Sequence, residues 1–255
     1  MPGPWMGALD GTPSAGARRL PDAMDHIEIF FIMQAAADVP SDEAWLSGGE
    51  RIRAAELRFP KRRNDWLLGR WTAKAALRAF LARAGGPVPE AAAIEILAAP
   101  DGAPELMLFG QPGPVSLALS HSAGRGFCAL CAPGIPLGCD VEAIPPRILD
   151  FIGDYLREEE HALIAAAPAG LQAERATLIW SAKESALKCL REGLRRDTRS
   201  VVVSLGDSAV GGWQPLSVEC LESGRRFPGW CRAEPGWVQT IAAGTDSNEP
   251  FELRG

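Results

Sequence analysis

Apolar and polar positions, punctuated by Gly and Pro, divide the chain into short strands and a few helices. His26 to Gln34 holds the run Ile29-Phe30-Phe31-Ile32-Met33 and predicts a first strand. Asp42 to Arg58 predicts a helix behind a Ser/Asp start signal, stopped by Pro60. Arg63 to Ala84 predicts a second helix, ended by Gly85-Gly86-Pro87. Ile94 to Leu97 and Glu105 to Phe109 read as short strands around Asp101-Gly102, and Val115 to His121 and Phe127 to Cys131 as a hairpin. Leu137 to Glu142 is a further strand. An acidic helix start follows at Glu158-Glu159-Glu160, then a long helix over Gln172 to Arg191. Strand runs close the pattern at Val201-Val203, Leu216-Cys220, Gly229-Ala233 and Trp237-Ala242. Strands and helices do not alternate as βαβ units, which predicts an α+β fold with antiparallel sheets.

Composition narrows the class. The 255 residues are 47% hydrophobic and 23% charged, enough apolar material to bury a sizeable core in one large or two small domains. A net charge of -6 gives no global signal for nucleic acid, so any anion site must be a local patch. No stretch approaches the roughly 20 apolar residues of a membrane span. Residues 1–22 are rich in Gly, Pro and Ala, without the basic start and apolar core of a secretory signal. They read as a flexible tail on a cytoplasmic protein. Cys128 and Cys131 form a C-x-x-C inside an apolar strand with no second pair at zinc spacing, so the six cysteines read as buried free thiols.

Three places carry polar residues with geometry. In the strand at 137–142, Asp140 and Glu142 share a face, because side chains at i and i+2 point the same way. Two adjacent carboxylates suit a hard cation such as Mg²⁺, or else a solvent-facing acidic edge. In the long helix, Glu184 and Lys188 stand one turn apart, either as part of a site or as an ordinary i, i+4 pair. Residues 51–74 hold eight Lys/Arg against two acids; Arg63, Arg70 and Lys74 fall within about 40° on a helical projection, a ready phosphate strip or a solvated face. His121, between Ser120 and Ser122 at a strand end, could donate to a phosphate.

Taken in order, Gly69-Arg70-x-x-x-Lys74, Ser120-His121-Ser122, Gly138-x-Asp140-x-Glu142 and Trp180-x-x-Lys183-Glu184-x-x-x-Lys188 resemble the 4′-phosphopantetheinyl transferase family, in its two-lobed surfactin type. The likeness runs from about His26 to about Ala243. It implies two similar α+β lobes packed as a pseudo-dimer, residues 23–133 and 134–245, with a C-terminal tail at 246–255 and the active site in the cleft between the lobes. It implies transfer of the phosphopantetheine arm of coenzyme A to a serine of an apo acyl or peptidyl carrier protein, with release of adenosine 3′,5′-bisphosphate. Asp140, Glu142 and Glu184 would hold Mg²⁺, with Mn²⁺ as an alternative. Glu184, Lys188 and Asp140 would be catalytic, and Lys183 would orient the site. Coenzyme A would meet Lys61, Arg62, Arg63, Arg70, Lys74, Asp101, Gly102, Pro104, Ser120, His121 and Lys188. Relatives carry a basic residue in the loop that is Asp101-Gly102-Ala103-Pro104 here; its absence implies weaker affinity or an arginine supplied from elsewhere. The segment Ile144 to Leu156 would help dock the carrier, through Ile148, Leu149, Phe151, Ile152 and Tyr155, unless these pack inward. A monomer is implied.

Overall fold

Strand β1 (Phe30–Ala35) opens a computed structural model that describes residues 26–254 apart from 146 and 207–211 and the side chains of Phe151 and Leu194; the tail expected at 1–22 lies outside the described residues. Helix α1 (Gly48–Glu56) begins later than its expected start at Asp42. Ser47 sets that start: its hydroxyl accepts from the Glu50 amide at 3.1 Å, and the Glu50 carboxylate accepts from the Ser47 amide at 3.0 Å. The residues before it turn inward and bury Trp45 and Leu46. Pro60 is the first residue of α2 (Pro60–Arg83), where its missing N–H leaves no bond unmade. Strands β2 (Ile94–Ala98), β3 (Pro104–Leu108) and β4 (Gln111–Pro112) form a small antiparallel sheet. Strands β5 (Ser116–Ser122) and β6 (Arg125–Cys131) form the expected hairpin. Ala123 and Gly124 turn it with φ of +40° and +81°, the two positive angles a tight hairpin needs.

The second half runs through β7 (Leu137–Ala143), the single turn α3 (Leu149–Ile152), α4 (Glu158–Ala165), α5 (Gln172–Cys189), β8 (Val201–Leu205), β9 (Gln214–Cys220), β10 (Arg225–Glu234) and β11 (Trp237–Ala243). These five strands pair in the order β7-β11-β10-β9-β8, and β12 (Phe251–Glu252) joins the other large sheet, β12-β1-β6-β5. The fold is α+β, as the pattern predicts. No described helix is long and apolar enough to cross a membrane.

Each half repeats the other's order: a strand, a short capped helix, a long helix, then strands that return to pair with the first. β1 pairs with β6 as β7 pairs with β11. One buried ion pair recurs in each half. Lys74 of α2 meets Glu50 in α1, and Lys183 of α5 meets Glu160 in α4 at 2.8 Å. Each glutamate also accepts a strand amide, Ile96 at 3.0 Å and Val203 at 3.1 Å. Each lysine donates to two carbonyls besides: Trp45 and Ala91 for Lys74, Thr198 and Val201 for Lys183.

Strand alternation sorts the core. Ile32, Cys128 and Leu130 face α2, packing with Ala73, Ala76 and Leu77. Phe31, Phe127 and Ala129 point the other way and meet Cys139, Val141 and Ile241 of the second sheet. Helix α5 covers the far side of that sheet, Ala182 and Ala186 clustering with Val238 and Ala242. The halves therefore share one core between their sheets. Residues 246–254 pack onto the first half. Ile27 bridges to Ser247, β12 lies parallel to β1, and Leu253 is buried with Ile32 and Ile94, so apolar burial draws the C-terminus back onto the first half. All six cysteines are free and buried.

Candidate active site

In β7 the two-residue period turns Cys139 and Val141 into the shared core and leaves Asp140 and Glu142 on the opposite face. Gly138 lets α5 come close, since a Cβ there would run into the carbonyl oxygen of Ser185. Ser181 and Ser185 tie α5 to the neighbouring strand β11, each hydrogen-bonded to the Thr240 hydroxyl, at 2.8 and 2.7 Å. That approach delivers Glu184. One carboxylate oxygen from each of Asp140, Glu142 and Glu184 lies within 4.8 Å of the others. The first half contributes from β5, where Ser120 donates to Asp140 at 2.6 Å and Ser122 to Glu142 at 2.7 Å. Lys188 does not form the i, i+4 pair with Glu184. It donates to the Cys139 carbonyl at 2.8 Å and to Asp140 at 2.9 Å.

Burial and the neighbouring Asp140 charge raise the proton affinity of Glu142 and Glu184. Burial pushes Glu142 up to about 7, with the Asp140 charge adding and the Ser122 hydrogen bond and Lys188 opposing. Glu184 is pushed up to about 7 by burial and by Asp140, with Lys188 opposing. Burial alone would lower Lys188, but the Asp140 and Glu184 charges outweigh it and its pKa is raised. Asp140 Oδ2 is buried without a hydrogen-bond partner. A buried, unpartnered carboxylate oxygen beside two more carboxylates is an all-oxygen donor set, and it fits a hard divalent cation such as Mg²⁺.

The basic strip is divided by depth. Lys74 is fully buried, and its three donors are spent on Glu50, Trp45 and Ala91, so the helical projection placed on one face a residue that the fold takes inside. Arg63 is paired with Glu43. Arg70 is half-buried over the Trp66 ring, 4.7 Å from its centroid, and burial lowers its pKa. Lys61 and Arg62 stay exposed, Lys61 pairing with Asp65 at 3.1 Å. The His121 ring lies over Gly69 of α2, with partial burial drawing its pKa down, Asp65 drawing it up, and Lys188 and Lys61 opposing.

A cleft of about 760 Å³ runs between the halves. Lys188, Asp101, Gly102, Pro104 and the β5 residues Leu117 and Leu119 line it, and the three clustered carboxylates and Ser120 do not. His121 and the 61–74 residues are not among those lining it. Trp180 packs on the second-half core and edge-on to Tyr155, at 5.8 Å between ring centroids. Of the docking candidates, Ile148 and Ile152 pack inward while Leu149 and Tyr155 are exposed; the Phe151 side chain lies outside the described residues.

Sequence reasoning missed Ser122 as a carboxylate partner, Glu160 as the partner of Lys183, and Arg191 as a lining residue of the cleft. The i+2 spacing from Ser120 to Ser122, matching that from Asp140 to Glu142, was the available signal for the first. The acid three residues after Arg157, a capping position, was the signal for the second. A search of curated proteins finds no match. Residues 136–215 match the family model of the 4′-phosphopantetheinyl transferase superfamily. The matched stretch supplies all three clustered carboxylates and Lys188.

Proposed function

We propose that the protein is a Mg²⁺-dependent 4′-phosphopantetheinyl transferase, moving the arm of coenzyme A to a serine of an apo acyl or peptidyl carrier protein and releasing adenosine 3′,5′-bisphosphate. The observation that carries this reading is the convergence of Asp140, Glu142 and Glu184, with Lys188 beside them, in the matched segment.

A bound Mg²⁺ would neutralise the pyrophosphate and make its phosphorus more open to attack. Ser120 and Ser122 hold two of the carboxylates that would carry the ion, and they come from the other half of the molecule. The carrier serine oxygen forms a bond to the phosphorus that bears the pantetheine arm, and the bond from that phosphorus to the nucleotide oxygen breaks. Glu184 takes the serine proton. Lys188, anchored at Cys139 and Asp140, offers its charge to the departing phosphate. Lys61, Arg62 and His121 are the exposed candidates for the 3′-phosphate. Leu149 and Tyr155 are the exposed candidates for the carrier's apolar patch. A monomer is part of the same reading.

The test is intact-mass measurement of a panel of apo carriers incubated with the protein, coenzyme A and Mg²⁺. At least one carrier should gain one phosphopantetheine arm, and a chelator should stop the gain. Glu184→Gln should abolish the gain with the circular dichroism spectrum unchanged. No gain on any carrier, or full activity in Glu184→Gln, refutes the assignment.

A further inference from the structure

Side chains from both halves meet where residues 101–105 and Arg191 line the cleft. Arg191 Nε donates to Asp101 Oδ2 at 2.6 Å and Arg191 Nη2 to Asp101 Oδ1 at 3.2 Å, a two-point fork. The same Nη2 reaches Glu105 at 3.4 Å. Arg195 donates to the Asp101 carbonyl at 2.9 Å and to the Arg191 carbonyl at 2.9 Å. Asp101 also shapes its own loop, accepting from the Ala103 amide at 3.0 Å, while the Gly102 amide donates to Ala99 at 2.8 Å. One carboxylate therefore folds the loop and ties it to the opposite half.

Arg191 holds this position against its own backbone preference. It lies just past Leu190, the cap of α5, with φ at +59°. Glycine is the usual residue where a helix ends in that conformation, and an arginine is strained there. Ending the helix does not call for this side chain; spanning the cleft does. Arg191 follows Lys188 by three residues and both line the cleft, so one segment faces the clustered carboxylates at one point and the 101–104 loop at the other. Ala103 leaves that loop without a cation of its own, and the positive charge at this part of the cleft arrives from the second half.

We propose that Arg191, backed by Arg195, is a positioning residue for coenzyme A: it clasps the loop at residues 101–104 across the cleft and so fixes where the nucleotide end of the ligand sits relative to Lys188. The inference rests on the functional reading above.

The experiment compares the full-length wild type with Arg191→Gly, Asp101→Arg and the swap Asp101→Arg/Arg191→Asp. It measures transfer kinetics, thermal unfolding, and amide hydrogen exchange at Gly102 and Ala103. Arg191→Gly should raise KM for coenzyme A about tenfold with kcat within about twofold. Its Tm should be no lower than that of the wild type, because glycine is at ease at this φ, while exchange at the two amides quickens. Asp101→Arg should raise KM similarly, and the swap should recover most of it, aspartate being tolerated in the left-handed region. An unchanged KM in Arg191→Gly, a lowered Tm with unchanged KM, or a swap no better than its worse parent overturns the proposal. If the wild type modifies no carrier, the functional reading falls. Exchange then separates the causes: faster exchange in Arg191→Gly keeps the clasp and faults the ligand, and unchanged exchange faults the clasp itself.

Discussion

Lys183 stands next to Glu184 in the sequence, yet the two residues do different work. Lys183 is fully buried, and its ammonium is divided among Glu160, Thr198 and Val201. Burial lowers its pKa and Glu160 opposes the fall. Replacing it by methionine would strand a buried carboxylate, so Lys183→Met should lose roughly 3–5 kcal/mol of stability, and Lys183→Met/Glu160→Leu should lose much less, both read from urea unfolding. Lys74→Met should behave alike in the first half. The Asp101 carboxyl offers a pH test. Its hydrogen bonds from Arg191 and Ala103 hold it down at about 2 against an ordinary value of 3.8. A group with a depressed folded pKa contributes in full above its ordinary value and loses that contribution as pH falls through the folded one. The tie to Arg191 should therefore be constant at neutral and mildly acid pH and loosen only as pH approaches about 2, as a carboxyl NMR titration would show. Asp140 and Glu142 were legible because a strand fixes which side chains share a face. Lys74 was misjudged because a helical projection gives direction around the axis but not depth, and its partner Glu50 stands 24 residues away.

The same contrast holds between β7 and α5. The strand's register and the helix's length were readable from local pattern, though β1 begins at Phe30, four residues after its expected start, and the other predicted strands shift or lengthen at their ends by one to four residues. Their mutual approach was not readable, because it depends on Gly138 meeting the backbone of Ser185. Gly138→Ala should push α5 away from β7. It should destabilise the protein by about 1–3 kcal/mol through overpacking. Because Lys188 and Glu184 ride on α5, transfer activity should fall further than the loss of folded protein explains; calorimetry with a mass-based transfer assay separates the two. The late start of α1 has a comparable origin. Ser47 and Glu50 satisfy each other locally, but Glu50 also serves Lys74 and Ile96, and those long-range ties favour a helix beginning at Gly48.

Across the molecule, the two sheets bury Phe31, Phe127, Cys139, Val141 and Ile241 against one another. Neither half can keep that surface from water alone, so residues 26–133 and 134–254 expressed separately should fail to unfold cooperatively, while mixing them should restore a transition in circular dichroism. Removing residues 245–255 should expose Ile32 and Ile94 by taking away Leu253, with a lower Tm. The repeated architecture also separates scaffold from chemistry. Counting register from the hairpin glycines Gly124 and Gly236, Ile32 and Gln34 occupy the places of Asp140 and Glu142. Counting from the paired lysines, Ala75 and Ala79 occupy those of Glu184 and Lys188. The chain is thus built twice but armed once: its twin elements preserve the internal anchor and differ wherever charge gathers. Under the proposed function, divalent ions should saturate the Asp140, Glu142 and Glu184 cluster at a single equivalent, with the corresponding elements of the first half serving as the wall behind it.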